Sequence, residues 1–208
     1  MKKENMETDW LFYEKEARSE GYKIICGIDE SGRGPLAGPV CAACVVLPEG
    51  YVIEGVNDSK KLSEKKRELL YDRIIDECVD YSIAVADEKE IDDVNILNAT
   101  FLAMRRAVNG LKVCPDLALV DGNKDPGLAI PARTIVKGDA KSASIAAASI
   151  LAKVTRDRFM LEMAEKYPQY CFEKHKGYPT KLHYEMLDQF GPCEIHRQTF
   201  LRTWYNKV

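Results

Sequence analysis

The 208-residue sequence predicts an α/β fold, and three observations carry that prediction. Apolar strand-like runs near 23–29, 39–47, 81–86, 116–122 and 132–137 alternate with stretches of helical period. Three of these runs lead straight into acids: Asp29 with Glu30, Asp121, and Asp139. The composition, 46% hydrophobic and 30% charged, is that of a globular chain long enough for one full core.

In chain order, Asp9 to Glu20 reads as a short amphipathic helix closed by Gly21, with Trp10, Leu11, Tyr13 and Ala17 as core contacts. The first two strands flank a loop rich in glycine and proline. Asn57-Asp58-Ser59-Lys60-Lys61-Leu62 is polar and feeds a helix that starts at Ser63 and runs to about Cys78, with Leu69, Leu70, Ile74 and Ile75 on one side. Tyr81 to Ala86 alternates like a strand. The next helix, about 92–111, carries Ile96, Leu97, Ala99, Leu102, Ala103 and Met104, and Gly110 weakens its last turn. From Ser142 a long helix places Ala143, Ala147, Ile150, Leu151 and Val154 on one buried stripe. Ser142, Ser149, Lys153 and Arg156 fall on a second, polar and basic face. Beyond Tyr167-Pro168 the composition shifts. His175, His183 and His196, all three histidines of the chain, lie there, and two short helices, about 180–190 and 197–206, form a helical appendage.

The net charge of −3 gives no global positive field, so any nucleic-acid contact has to come from a local basic stripe. No apolar run approaches the roughly 18 residues of a membrane helix. Met1 to Glu7 is polar and lacks the apolar core of a signal peptide. Seven cysteines, an odd number without a disulfide rhythm, point to a reducing cytoplasm. Size and composition make a monomer the default.

The chain is organised around Gly27-Ile28-Asp29-Glu30-Ser31-Gly32-Arg33-Gly34-Pro35-Leu36-Ala37-Gly38-Pro39-Val40. Neighbouring strand residues face opposite ways, so one of Asp29 and Glu30 is expected at the strand end, where the loop bends. Glycines without Cβ atoms let a phosphate backbone approach main-chain N–H groups. Carboxylates for a hard cation beside such a cradle suggest metal-dependent chemistry on a phosphate ester. In α/β sheets functional groups gather beyond the carboxyl ends of strands, so Asp29, Glu30, Asp121 and Asp139 are expected to converge. An isolated Asp-Glu pair reads more simply as surface acids on a turn; the adjoining glycine loop argues against that here.

A rival zinc site from Cys171, His175, His183 and Cys193 has the right residue types but lacks tight ligand pairs. Cys41 and Cys44, three apart on a strand, face opposite ways and are expected to be buried separately. Lys174 to Lys181 is basic around Tyr178, which suits a sugar or base stacking on the ring; an exposed turn is the plain alternative. Lys60 and Lys61 share that ambiguity, and solvent or an ion pair is the plain account of Lys153 and Arg156.

Several segments together resemble ribonuclease HII of bacteria: Gly27 to Val40, Asn57 to Ser63, Glu90 to Thr100, Val120-Asp121-Gly122, Lys137 to Ser142, Ile145 to Asp157, and His175-Lys176-Gly177-Tyr178. The similarity spans about Ile24 to Phe200. Ser31 stands where the family motif more often has alanine. The resemblance implies a ribonuclease H-like fold, a five-stranded mixed β-sheet flanked by helices, with residues 1–167 as the catalytic domain and 168–208 as a C-terminal helical extension that binds substrate. It implies hydrolysis of RNA in RNA–DNA hybrids and incision 5′ of single ribonucleotides in duplex DNA, leaving 3′-hydroxyl and 5′-phosphate ends. Asp29, Glu30, Asp121 and Asp139 match the metal-binding carboxylates, with Mn2+ or Mg2+ as cofactor in a two-metal-ion reaction. Gly32, Arg33 and Gly34 match the segment that reads the ribose 2′-hydroxyl, and Tyr178 matches a tyrosine that stacks on the following deoxyribose. Lys60, Lys61 and Lys153 are expected to meet phosphates. Only about 22 residues precede the first strand, which favours type HII over the related type HIII with its N-terminal domain.

Overall fold

Gly27, in the middle of the central strand β1 (Ile25–Ser31), dictates how the layers pack. A Cβ built there would lie 2.2 Å from the Ser144 carbonyl carbon and 2.3 Å from the Ile145 nitrogen. The first turn of the long helix α4 (Ala143–Lys166) therefore rests directly on the strand backbone. The structure, a computed structural model, describes residues 9–206; the polar Met1–Glu7 segment lies outside them.

The sheet has the order β3-β2-β1-β4-β5. Strands β2 (Val40–Val46) and β3 (Asp80–Ala86) are antiparallel to their neighbours; β4 (Leu117–Asp121) and β5 (Ala132–Ile135) run parallel to β1. One face carries α1 (Phe12–Ser19), α2 (Glu64–Glu77) and α4; the other is covered by α3 (Glu88–Asn109). Cys41 belongs to the first core and Cys44 to the second, as their spacing predicts. No helix among the described residues is long and apolar enough to cross a membrane.

Local signals explain most element boundaries. The Ser63 hydroxyl accepts a hydrogen bond from the Lys66 N–H and starts α2. A reciprocal box of Asp87 and Glu90 starts α3 earlier than its apolar period suggests. That helix then breaks at Asn95, whose positive φ of 67° is stabilised as its side chain accepts from Leu97 and Asn98 N–H groups. Helix α4 departs from the single stripe expected of it: every residue from Ala143 to Ala152 is buried. Its small side chains let it insert between the sheet, α2 and the C-terminal elements.

Two expectations about strand ends need correction. Strand β1 runs through both acids and stays paired with β2 as far as Ser31 opposite Cys41. What stops is β4, whose pairing with β1 ends at Ile28 opposite Val120. Nor does Asp139 end a strand: β5 finishes at Ile135, and Asp139 sits in a 3-10 turn over Gly138–Ala140.

Beyond α4 the chain forms α5 (Phe172–His175), α6 (Lys181–Phe190) and a 3-10 turn over Gln198–Leu201 that leads into α7 (Arg202–Tyr205). This segment folds back on the glycine loop through an isolated bridge of Ala37 with His196. Gly27→Ala tests the close packing at β1: overpacking against a helix backbone should lower unfolding stability by about 3 kcal/mol, measured by urea denaturation.

Candidate active site

Because β4 stops two residues before β1, a notch opens at the carboxyl edge of the sheet. Asp29 and Gly27 share the α4 side of β1, as strand alternation requires, and Asp121 ends β4 on the same side. Asp29 is buried and accepts the Glu30 N–H at 2.7 Å through Oδ1. Asp121 Oδ1 accepts the Gly138 N–H at 2.6 Å, which ties the turn holding Asp139 to β4. Glu30 points to the other face but reaches round the notch, lining a hollow with Thr100, Met104, Asp121 and Gly122. Three chain segments thus bring the four predicted acids together.

Their electrostatics are unfavourable as they stand. Burial, then the charges of Glu30 and Asp121, push the Asp29 carboxyl well above the usual carboxylate range. Burial also raises Glu30, against the opposing pull of Arg33. Asp139 is raised by burial and by Asp121 and Asp58. Two cations compensate in part: Arg33 Nη1 lies 3.3 Å from Glu30 Oε1, and Lys60 Nζ lies 4.0 Å from Asp139 Oδ2. An all-oxygen carboxylate set with spare lone pairs and excess negative charge fits a hard divalent ion such as Mg2+ or Mn2+. Among the described residues no three acid, cysteine or histidine side chains close round one point.

In front of the acids lies an open cleft lined by the Gly32-Arg33-Gly34 loop, Lys60, Lys153 and Tyr178. Tyr178 presents a half-exposed ring, with Lys153 Nζ 5.8 Å and the Arg156 guanidinium 5.7 Å from its centre. Lys153 is also held by Asp157 at 2.7 Å. Lys61 faces Asp58 at 3.9 Å and does not line the cleft. The loop's glycines differ in purpose. At Gly32 (φ 99°) a Cβ would collide with Arg156 Nε at 2.2 Å, so its bareness serves packing; at Gly34 only the Tyr178 ring lies near, at 3.8 Å.

Among the described residues the C-terminal histidines and cysteines form no cluster that could hold a zinc ion. His196 Nδ1 accepts the Cys193 N–H at 2.9 Å, so its Nε2–H donates to His183 Nε2 at 3.0 Å, and His183 Nδ1–H donates to the Tyr178 carbonyl at 3.0 Å. His175 accepts from the Gly177 N–H and donates to the Tyr170 carbonyl. Every ring nitrogen is used within the protein. Burial pushes His183 and His196 down to about 4, so both rings are neutral near pH 7. Their work is to hold the Tyr178 turn.

Several site residues were beyond the sequence reading. Ser59 and Ser149 share a hydrogen bond of 2.8 Å beneath the cleft, and Phe200 and Ile96 line it. Arg197 is fully buried under the glycine loop. Ser149 carried a sequence signal in its helical register with Lys153, Ile96 was read only as an apolar residue of α3, and Ser59, Phe200 and Arg197 lie in or beside 3-10 turns that have no period to read.

Acids at the carboxyl edge of an α/β sheet, facing a cleft lined by a glycine loop and lysines, fit a phosphodiester hydrolase. Comparison with known proteins names the kind. The family model described as Ribonuclease HII matches residues 26–208. A ribonuclease HII of Caldicellulosiruptor bescii is 60% identical over 189 residues, covering 91% of this chain and 92% of that protein. Another, from Caldicellulosiruptor saccharolyticus, is 53% identical over 197 residues, covering 95% and 96%. The crystal structure of ribonuclease H2 from Pyrococcus horikoshii OT3 superposes with a TM-score of 0.73 at 32% identity, covering 89% of this chain and all of that one. The chain belongs to the ribonuclease HII family, and it is a ribonuclease H, an endonuclease that hydrolyses phosphodiester bonds.

The raised carboxyls give a test. A group whose folded pKa is raised contributes stability below the ordinary carboxylate range and loses it as pH rises through the raised value. In chelator, Asp29→Asn should therefore gain stability over the unaltered protein as pH climbs from about 3 towards 7, and the two should converge at the acidic end. Thermal unfolding across pH measures the difference. Adding Mn2+ should stabilise the unaltered protein more than the variant, since an ion bound only by the folded state adds to its stability.

Proposed function

We propose that this ribonuclease H cuts the RNA strand of RNA–DNA hybrids and incises on the 5′ side of single ribonucleotides embedded in duplex DNA. The observation that carries the proposal is the juxtaposition of four carboxylates with a loop whose Arg33 and Gly34 N–H groups have no partner within the protein, among the described residues. A ribose 2′-hydroxyl is the one group that tells RNA from DNA, and free main-chain N–H groups are donors for its oxygen.

The ribonuclease H family is dependent on divalent metal. Asp29, Glu30, Asp121 and Asp139 would hold two such ions, Mg2+ or Mn2+. Ions held there would lower the pKa of a water nucleophile and offset charge on the departing oxygen, the chemistry that 3′-hydroxyl and 5′-phosphate ends require. The rest is done by the chain itself. Gly34 leaves the approach to the loop open, and the Tyr178 ring, on a turn whose carbonyl is held by the histidine chain, offers a face to the deoxyribose that follows the ribonucleotide. Lys60 and Lys153 stand where phosphates of the cut strand pass, and each is now balanced by an acid from which it can turn. In this reading residues 1–167 are the catalytic domain, and residues 168–208 are an extension that presents Tyr178 to substrate.

Cleavage of a DNA duplex with one ribonucleotide, in Mg2+ or Mn2+, tests the proposal. Incision 5′ of the ribonucleotide should fall by roughly 10²-fold or more in Asp121→Asn. Tyr178→Ala should lower single-ribonucleotide incision by about tenfold, the value of one lost stacking contact, while sparing long hybrids more. Cleavage of long hybrids alone would leave the carboxylate site standing and remove the junction-reading role of the loop and Tyr178.

A further inference from the structure

Two arginines lie fully buried beneath the glycine loop, and all their side-chain hydrogen bonds among the described residues end on main-chain carbonyls. Arg197, from the C-terminal segment, donates to the carbonyls of Gly32 at 2.7 Å, Arg33 at 3.1 Å, Pro35 at 2.8 Å and Gly38 at 2.8 Å. Arg156, from α4, donates to Ala37, Pro39 and Lys176 at 3.0, 3.0 and 3.1 Å. The Leu36 carbonyl accepts the Arg197 N–H at 2.9 Å. From Gly32 to Pro39 every carbonyl except that of Gly34 is therefore drawn inward. Burying a guanidinium away from carboxylates is costly, and a turn needs no such device to form.

The consequence follows from peptide geometry. In a planar trans peptide the C=O and the next residue's N–H point in opposite directions. Pulling the Gly32 carbonyl inward turns the Arg33 N–H outward; pulling the Arg33 carbonyl inward turns the Gly34 N–H outward. Both bonds come from Arg197. By contrast, the Leu36 and Gly38 N–H groups are already taken, by the carbonyls of Gly177 and Ile195. The same guanidinium stacks 5.1 Å from the Phe200 ring, which fixes its plane.

We propose that Arg197 is a positioning residue for ribose recognition. By holding the Gly32 and Arg33 carbonyls inward, it aims the Arg33 and Gly34 N–H groups at the 2′-hydroxyl. The proposal rests on the reading of this loop as the ribose sensor. It assigns the discrimination between RNA and DNA partly to a residue far along the chain that touches no substrate. A lysine at the same place keeps the charge but cannot span four carbonyls with one ammonium.

The test compares binding of two duplexes, identical except for one ribose or deoxyribose, to Asp121→Asn protein with and without Arg197→Lys. Arg197→Lys should leave affinity for the all-deoxy duplex in place and lower the ribose preference about tenfold, as expected for one to two misaligned hydrogen bonds. A thermal melt accompanies each variant. Equal loss of affinity for both duplexes, with the preference kept, would show a merely structural arginine and overturn the proposal. A preference of one in the parent protein would instead remove the ribose-sensing reading, and the positioning role with it. If Arg197→Lys does not fold, amide exchange in the otherwise unaltered protein decides. The Arg33 and Gly34 amides should exchange freely alone and become protected only by the ribose-containing duplex; protection in the free protein would refute the outward aim.

Discussion

Strand β1 is longer than the strand beside it, and the chemistry of the site follows from that mismatch. Pairing with β4 ends at Ile28, while pairing with β2 continues to Ser31. The strand therefore stays rigid past the point where one neighbour has gone. Asp29 hangs into the vacated space on the α4 side, Asp121 ends β4 beside it, and Glu30 curls in from the other face. A regular strand cannot bring adjacent residues to one place, but a strand with an absent neighbour can. The close seat of α4 on Gly27 holds this edge at a fixed depth, and the same helix carries Ser149 and Lys153 to the cleft and Arg156 beneath the glycine loop.

The acids are held together against their own repulsion, with Arg33 and Lys60 as partial counter-charges. Such strain is characteristic of functional sites, where a structure tolerates instability that a ligand relieves. The surroundings of the cleft are, by contrast, heavily satisfied. Buried arginines take most of the loop carbonyls, and a chain of neutral histidines ends on the carbonyl of Tyr178. Donors for substrate are left free because so many other groups are not.

The sequence made the α/β class, the two-core division of β2 and the four acids legible, because apolar runs ending in carboxylates are a local pattern. It misplaced the acids relative to the strands. Asp139 follows β5 by a turn, and only the missing pairing of β4, a non-local fact, explains how Asp29 and Glu30 share a site. The early start of α3 was visible in principle as the Asp87–Glu90 box, whereas its break at Asn95 was not. Arg156 was read from its helical register as a solvent- or phosphate-facing residue; in the fold it turns inward because the space left by Gly32 admits it. Arg197 sits in an irregular segment without period, and its role exists only through contacts with residues more than 150 positions earlier. Lys61, the basic neighbour of Lys60, faces Asp58 and stands outside the lining of the cleft.

The claim on which the account rests is that Asp29, Glu30, Asp121 and Asp139 form one centre for divalent ions facing the cut strand. Anomalous diffraction from crystals of the protein with Mn2+ and a ribonucleotide-containing duplex tests it most directly. The account predicts manganese peaks in the notch between β1 and β4, ligated by these carboxylates and by a phosphate of the bound strand. Manganese bound elsewhere, with the notch empty and the four acids ligating nothing, would contradict it.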